Sequence, residues 1–273
     1  MAAFTTPPAA VPPAPLGRYA VAVGVTVLAI VSQYFVPELW TPALAVYGNL
    51  PGDLFVVYGI PVIAFALLVG VGPLRNWRDR MGVATVEGLR WYGGLSALSI
   101  AVLLVLILVY EAVDPAALQL LNRPNPALTQ AAGNPWFWVA FSFVVGAFEE
   151  TIFRGWVFGF WRTRSVYWVV PAAWTSALFA GVHLYYGATY GAAAPLIFPG
   201  LFLIGFAFAA TYRASGGNLV VVALLHGAHD AAAFYTLINP TLGSVLYYLL
   251  VLVGCVVALV YYQRNSATPL HPG

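Results

Sequence analysis

Apolar residues run through this chain in blocks near the roughly 20 residues a helix needs to cross a bilayer, each closed by a short polar interval. The blocks fall at about 17–36, 54–74, 90–110, 135–161, 168–186, 195–212, 218–237 and 242–262. The pattern predicts an all-α fold, a polytopic integral membrane helical bundle of about eight transmembrane helices. Residues 1–16 are rich in Ala, Pro and Thr and read as a disordered tail, and 265–273 as a second tail. Between them, 17–264 form a single transmembrane domain. Because 1–16 lack the basic start of a cleaved signal peptide, the first span is expected to serve as its own uncleaved signal.

Composition sharpens this picture. Of 273 residues, 62% are hydrophobic and 7% are charged, against a usual charged share of about 25% in soluble domains. So little charge cannot cover a water-facing surface. Every basic residue is arginine. With the amino terminus inside, Arg18, Arg75, Arg78, Arg80, Arg90, Arg162, Arg164, Arg213 and Arg264 fall on the cytoplasmic side. Arg123 alone falls outside, where Glu38, Asp53, Glu111 and Asp114 gather. Basic residues near span ends mark the inner face, so both termini are expected in the cytoplasm and the protein in the cell membrane. Trp77, Trp91, Tyr167 and Trp168 suit the interfacial aromatic belt. The chain shows no nucleotide-binding glycine loop and no fixed repeat, and no nucleic-acid partner is expected. Its oligomeric state is not legible.

Against this apolar background the buried polar residues stand out. Glu149 and Glu150 are adjacent in the fourth block, with Arg154 four residues after the second. A charge within the bilayer costs roughly 2.5–3.5 kcal/mol on insertion scales. A helix advances about 100° per residue, so Glu150 and Arg154 share a face and can pair. Glu149 points elsewhere and is left as the carboxylate available for acid–base work. Gly155 and Gly159 in the same block have a spacing suited to close helix contact.

The fifth block holds Phe179 and His183, four apart, so the ring can screen the imidazole from lipid. The seventh holds His226, His229 and Asp230, with His226 and Asp230 one turn apart. A lone histidine in a span is ordinarily a helix–helix hydrogen-bonding residue, and an Asp–His pair can be purely structural. At about 1.5 Å of rise per residue, however, Glu149, His183, His226 and Asp230 fall near one depth, somewhat inward of the midplane.

These residues carry a resemblance. Glu149-Glu150-Thr151-Ile152-Phe153-Arg154 resembles the EExxxR motif of the CAAX-protease and bacteriocin-processing family of intramembrane glutamic endopeptidases, also called Abi or type II CAAX prenyl endopeptidases. Phe179 to His183 resembles its FxxxH, and His226 to Asp230 its HxxxN or HxxxD, in the expected order over about 135–240. The resemblance implies a catalytic core there, with Glu149 and His183 activating a water that attacks the scissile carbonyl. It implies that Glu150 and Arg154 brace the fourth helix, with Phe179 supporting the site, and that His226 and Asp230 face the developing oxyanion. An ionised aspartate would repel that oxyanion. Asp230 therefore either carries a proton or, as is expected here, orients and charges His226 without touching substrate. His229 has no place in the motif and is expected to be packing.

The implied activity is hydrolysis of peptide bonds in membrane-associated protein or peptide substrates, in or beside the lipid bilayer, with no metal and no cofactor. Nothing selects between prenylated CAAX termini and small peptides. Three other readings compete. Glu149, His183 and His226 would make a reasonable zinc site, although HExxH is missing. Buried acids and histidines also build ion pathways in transporters, but here they crowd into one half of the chain. The third is a catalytically dead binding protein of the same fold.

Overall fold

The computed structural model describes residues 14–35, 55–80, 86–116, 133–165, 167–183 and 190–265. Most of the expected tails and of the polar stretch 111–134, with Arg123, lie outside them. Helix α1 spans Leu16–Phe35. A π-helical turn, Phe55–Gly59, runs into α2 at Ile60–Leu68, followed by α3 at Gly72–Arg80 and α4 at Val86–Val113. Helix α5, Pro135–Glu150, continues as a π-helical stretch, Thr151–Phe158, and closes as α6, Gly159–Arg162. Then come α7 at Val169–Val182, a short 3-10 turn at Gly191–Ala193, α8 at Ala194–Ala214, α9 at Leu219–Tyr235 and α10 at Pro240–Asn265.

Among the described residues there is no strand. Three helices there are long and apolar enough to cross a bilayer: Arg90–Val113, Pro135–Arg162 and Ile197–Ala214. Shorter apolar helices are Leu16–Ser32, Phe55–Leu68, Val169–Val182, Leu219–Tyr235 and Pro240–Leu252. The surface agrees with a lipid setting. Leu28, Leu67, Leu108 and Leu252 are exposed, whereas Glu150, Arg154, His226, Thr175, Ser176 and Thr211 are buried. An apolar exterior of this kind marks a membrane-facing surface.

Local chemistry sets the two helices that matter most. Pro135 opens α5, and the Asn134 side chain accepts from the Phe137 N–H at 3.2 Å; both residues suit a helix start. Helix α9 follows a tight turn in which Gly216 and Gly217 have φ of 71° and 79°, a region costly for residues with a Cβ. The Asn218 side chain then caps the helix, accepting from Val220 N–H at 3.0 Å and Val221 N–H at 3.4 Å. Asn76 of α3 braces this start, donating to Gly217 O at 2.8 Å and accepting from Leu219 N–H at 3.1 Å. The register of α9, and with it the height of His226, is fixed from its first turn.

Helices α5 and α9 cross in close contact. A Cβ on Gly146 would lie 2.8 Å from both Ala223 O and Gly227 N, and one on Gly227 would lie 2.7 Å from Phe143 Cα. Small residues let helix backbones approach in this way, and the crossing falls one turn before Glu150. The contact expected at Gly155 and Gly159 is only half realised. Gly155 abuts Pro73 of α3, whereas Gly159 would meet nothing nearer than Arg154 O at 4.0 Å.

Two span boundaries differ from expectation. The block at 54–74 breaks after Leu68, because Gly70 takes a φ of 113° and Pro73 opens a separate, more polar helix. The block at 168–186 gives a helix that ends at Val182, with His183 at its carboxy-terminal cap. His183 is therefore a helix-end residue and not one set within a span.

Helix ends carrying arginine meet at one end of the bundle. The Arg213 guanidinium lies 4.8 Å from the Trp168 ring centroid, and Trp91 packs edge-on against Trp168 at 5.7 Å. At the same end, Arg164 donates to Ala14 O at 2.8 Å.

Candidate active site

The polar cluster is built outward from Glu150. Its Oε1 accepts from Arg154 Nη1 at 2.9 Å and from His226 Nδ1 at 2.7 Å. A carboxylate can only accept, so the hydrogen on His226 sits on Nδ1. Arg154 also donates through Nη2 to Gly205 O of α8 at 2.6 Å. Its guanidinium lies between aromatic faces, 5.1 Å from Phe179 and 5.3 Å from Phe208. Glu150 and Arg154 are fully buried. Removing either would leave an uncompensated charge, the costliest kind of damage to such a pair. The pair does more than brace its own helix: it ties α5 to α8 through Gly205 and to α9 through His226. Close packing of α7 against α8 serves the same end, since a Cβ on Gly205 would press on Phe179 and Ser176.

Glu149 faces two ways. Its Oε1 accepts from the Tyr58 hydroxyl at 3.2 Å, while its Oε2 lies 3.7 Å from His226 Nε2. That second oxygen is buried with no hydrogen-bond partner. Asp230 Oδ2 is 3.5 Å from the same His226 Nε2. Glu150 thus makes the short hydrogen bond to Nδ1, whereas Asp230 shares the Nε2 side with Glu149. The reason is position: Glu150 lies directly under His226 at the Gly146–Gly227 crossing, and Asp230 is a turn farther along α9. His226 stacks on Phe208 at 4.7 Å and is 4% exposed, so its ring cannot swing away from this alignment.

His183 sits apart from that cluster and across a cavity from it. Its Nδ1 lies 2.7 Å from Phe179 O. A carbonyl only accepts, so Nδ1 carries the hydrogen and Nε2 is the acceptor of the neutral ring. Phe179 packs against both His183, at 4.9 Å, and His226, at 5.9 Å. A partly open cavity of about 50 Å³ is lined by Glu149, His183 and Tyr58 with Thr26, Ile30, Val57, Ile152, Phe153 and Val182. Glu149 and His183 therefore share one chamber, while Glu150, Arg154, His226 and Asp230 form the layer behind Glu149.

The π-helical stretch helps to shape the near wall. Ile152 and Phe153 belong to it and line the cavity. π-Helical distortions occur mostly as single turns and often at functional sites; here the Thr175 hydroxyl of α7 donates to Phe153 O at 2.8 Å and the Trp77 indole donates to Thr151 Oγ1 at 2.8 Å.

Tyr58, Gly146, Gly227, Gly205 and Phe208 were missed by the reading of motifs. The glycines had a signal, small residues one turn from the acidic pair and beside His226. Tyr58 had none, because its block shows only general hydrophobicity. His229 lies among aromatic groups, 3.5 Å from the Tyr92 hydroxyl and 4.4 Å from the Tyr247 ring. Among the described residues, no three His, Cys, Asp or Glu side chains are grouped as metal ligands.

The acidic pair and the histidines lie within residues 131–232, which match the family model described as Type II CAAX prenyl endopeptidase Rce1-like. Over that stretch the chain is similar to that family. The matched region runs from just before α5 into α9 and takes in all seven motif residues, from Glu149 to Asp230. No curated protein and no solved structure matches the chain significantly. The family named by that model is an endopeptidase family, and the apolar helices around the matched stretch suit a membrane-embedded protein.

Proposed function

We propose that this protein is an intramembrane endopeptidase that hydrolyses peptide bonds of membrane-associated substrates with a water activated by Glu149 and His183. The observation that carries this reading is that the carboxylate and the imidazole line one cavity, each held by a second group. In the proposed step, water donates its proton to Glu149 while its oxygen attacks the scissile carbonyl carbon, with His183 Nε2 accepting a hydrogen bond from the water. The carbonyl electron pair moves onto oxygen. Glu149 then returns the proton to the departing amine nitrogen as the C–N bond breaks. A positioned base of this kind supplies about 10²–10⁴-fold in rate.

His226, clamped by Glu150, holds the far side of Glu149 and steadies that carboxylate from behind the cavity. Asp230 supports the charge on that ring and does not touch substrate. Prenylated CAAX termini are the substrate class named for the matching family, and small hydrophobic peptides are the alternative. The arginine-bearing end of the bundle supports a multi-pass protein of the cell membrane whose site opens towards the cytoplasm.

Purified protein and its Glu149→Gln variant, compared for peptide cleavage and for thermal unfolding in detergent, test the assignment. The expected outcome is loss of cleavage by at least about 10²-fold with an unfolding temperature close to the parent's. Retained turnover in the variant rules out Glu149 as the base.

A further inference from the structure

We propose that Tyr58 is a catalytic hydrogen-bond donor of this site, held on Glu149 in the resting state and released to the oxyanion as Glu149 takes up the proton. The inference rests on the endopeptidase reading and extends it to a residue outside the matched region 131–232.

Three observations converge on Tyr58. Its hydroxyl donates to Glu149 Oε1 at 3.2 Å, so it touches the base directly. It lines the same cavity as Glu149 and His183, so it stands where a scissile carbonyl would enter. Its ring is held by stacking on Phe148, centroids 5.6 Å apart with planes 23° from parallel. Phe148 is the residue immediately before Glu149, so the helix that carries the carboxylate also holds the phenol ring against it.

The donors available to an oxyanion are otherwise poorly placed. His226 has Nδ1 committed to Glu150 and Nε2 set between the Glu149 and Asp230 carboxylates, and it does not border the cavity. Of the other polar residues on the wall, Thr26 donates its hydroxyl to Ala22 O at 2.9 Å, and His183 is needed for the water. A phenol has one O–H to give. While Glu149 is ionised, that hydrogen is spent on Oε1. When the attacking water gives its proton to Glu149, Oε1 ceases to be the better acceptor at the moment when the carbonyl oxygen becomes an alkoxide. The O–H then turns from one oxygen to the other within a single cavity. No proton leaves Tyr58, so the step balances without a further reactant. As the C–N bond breaks and Glu149 gives its proton to the amine, the hydrogen bond returns to the carboxylate.

Tyr58→Phe keeps the ring and its stacking and removes only the hydroxyl. Parent and variant are compared for kcat and KM on a cleavable peptide. They are also compared for the Kd of a phosphinate peptide, a tetrahedral mimic, and of an uncleavable amide-isostere peptide. The expected result is a fall in kcat of about 10²–10³-fold with KM little changed. Phosphinate affinity should fall in parallel, and amide-isostere affinity should stay within about threefold. Equal loss of both ligands, or kcat within threefold of the parent, overturns the proposal and leaves Tyr58 as packing. A parent protein that cleaves nothing contradicts the endopeptidase reading itself, which this design separates from a failure at Tyr58 alone.

Discussion

At the residue scale, the site is organised by one oxygen. Glu150 Oε1 receives both Arg154 and His226, so three helices depend on a buried charge that has no access to water. Arg154→Ala should therefore destabilise the protein by about 3–5 kcal/mol, read as a large fall in unfolding temperature in detergent, with activity lost as well. Glu149→Gln, by contrast, should remove activity alone. The Glu150–His226 contact gives a sharper test. A double-mutant cycle of Glu150→Gln with His226→Gln should show a coupling of about 0.5–3 kcal/mol in stability. An additive result would mean that the 2.7 Å contact contributes nothing.

That Arg154 pairs with Glu150 and not with Glu149 was legible in the sequence, since the four- and five-residue spacings place the two acids on different sides of the helix. The choice of which carboxylate holds His226 was not. The spacing of four between His226 and Asp230 suggested Asp230, whereas the partner came from another helix. Intrahelical spacing says nothing of a neighbour 76 positions away in sequence.

At the element scale, the crossing of α5 over α9 is what brings the acids to His226. It depends on backbone contact at Gly146 and Gly227, where no Cβ fits without movement of the partner helix. Gly227→Ala should cost about 1–3 kcal/mol by overpacking and lower the cleavage rate, because the helices must part where His226 reaches Glu150. Gly159→Ala is the matched control. With open space around its Cβ, it should stay within about 0.5 kcal/mol of the parent. Melting curves and turnover of both variants decide the matter, and equal effects would remove the crossing from the account.

Helix existence was readable because each apolar block is long and bounded by polar residues. Element ends were less so. His183 reads as a mid-span residue by hydropathy, yet α7 stops at Val182 and places it at the cap. The π-helical stretch Thr151–Phe158 left no mark in the apolar pattern, because its hydroxyl and indole partners, Thr175 and Trp77, lie far along the chain. Tyr58 escaped for the same reason. A tyrosine in an apolar block is ordinary, and only its meeting with Glu149 gives it meaning.

At the scale of the whole molecule, leucines face outward while a small cluster of Glu150, Arg154 and His226 is enclosed in a mostly apolar core. The three long and five shorter apolar helices make an even number of crossings if each spans, which puts both termini on one side. In the proposed topology that side is the cytoplasm, the side on which arginine-bearing span ends are expected. Reporter fusions at the two termini should both report an inside location; opposite locations would require one apolar helix not to cross.

The central claim, a water activated by Glu149 and His183 without a metal, is tested most directly by mass-spectrometric analysis of a peptide library. Prenylated and unprenylated members are incubated with purified protein, with and without a strong chelator. The account predicts internal peptide-bond cleavage of the same sites at the same rate in both conditions. Cleavage abolished by the chelator and restored by zinc would contradict it.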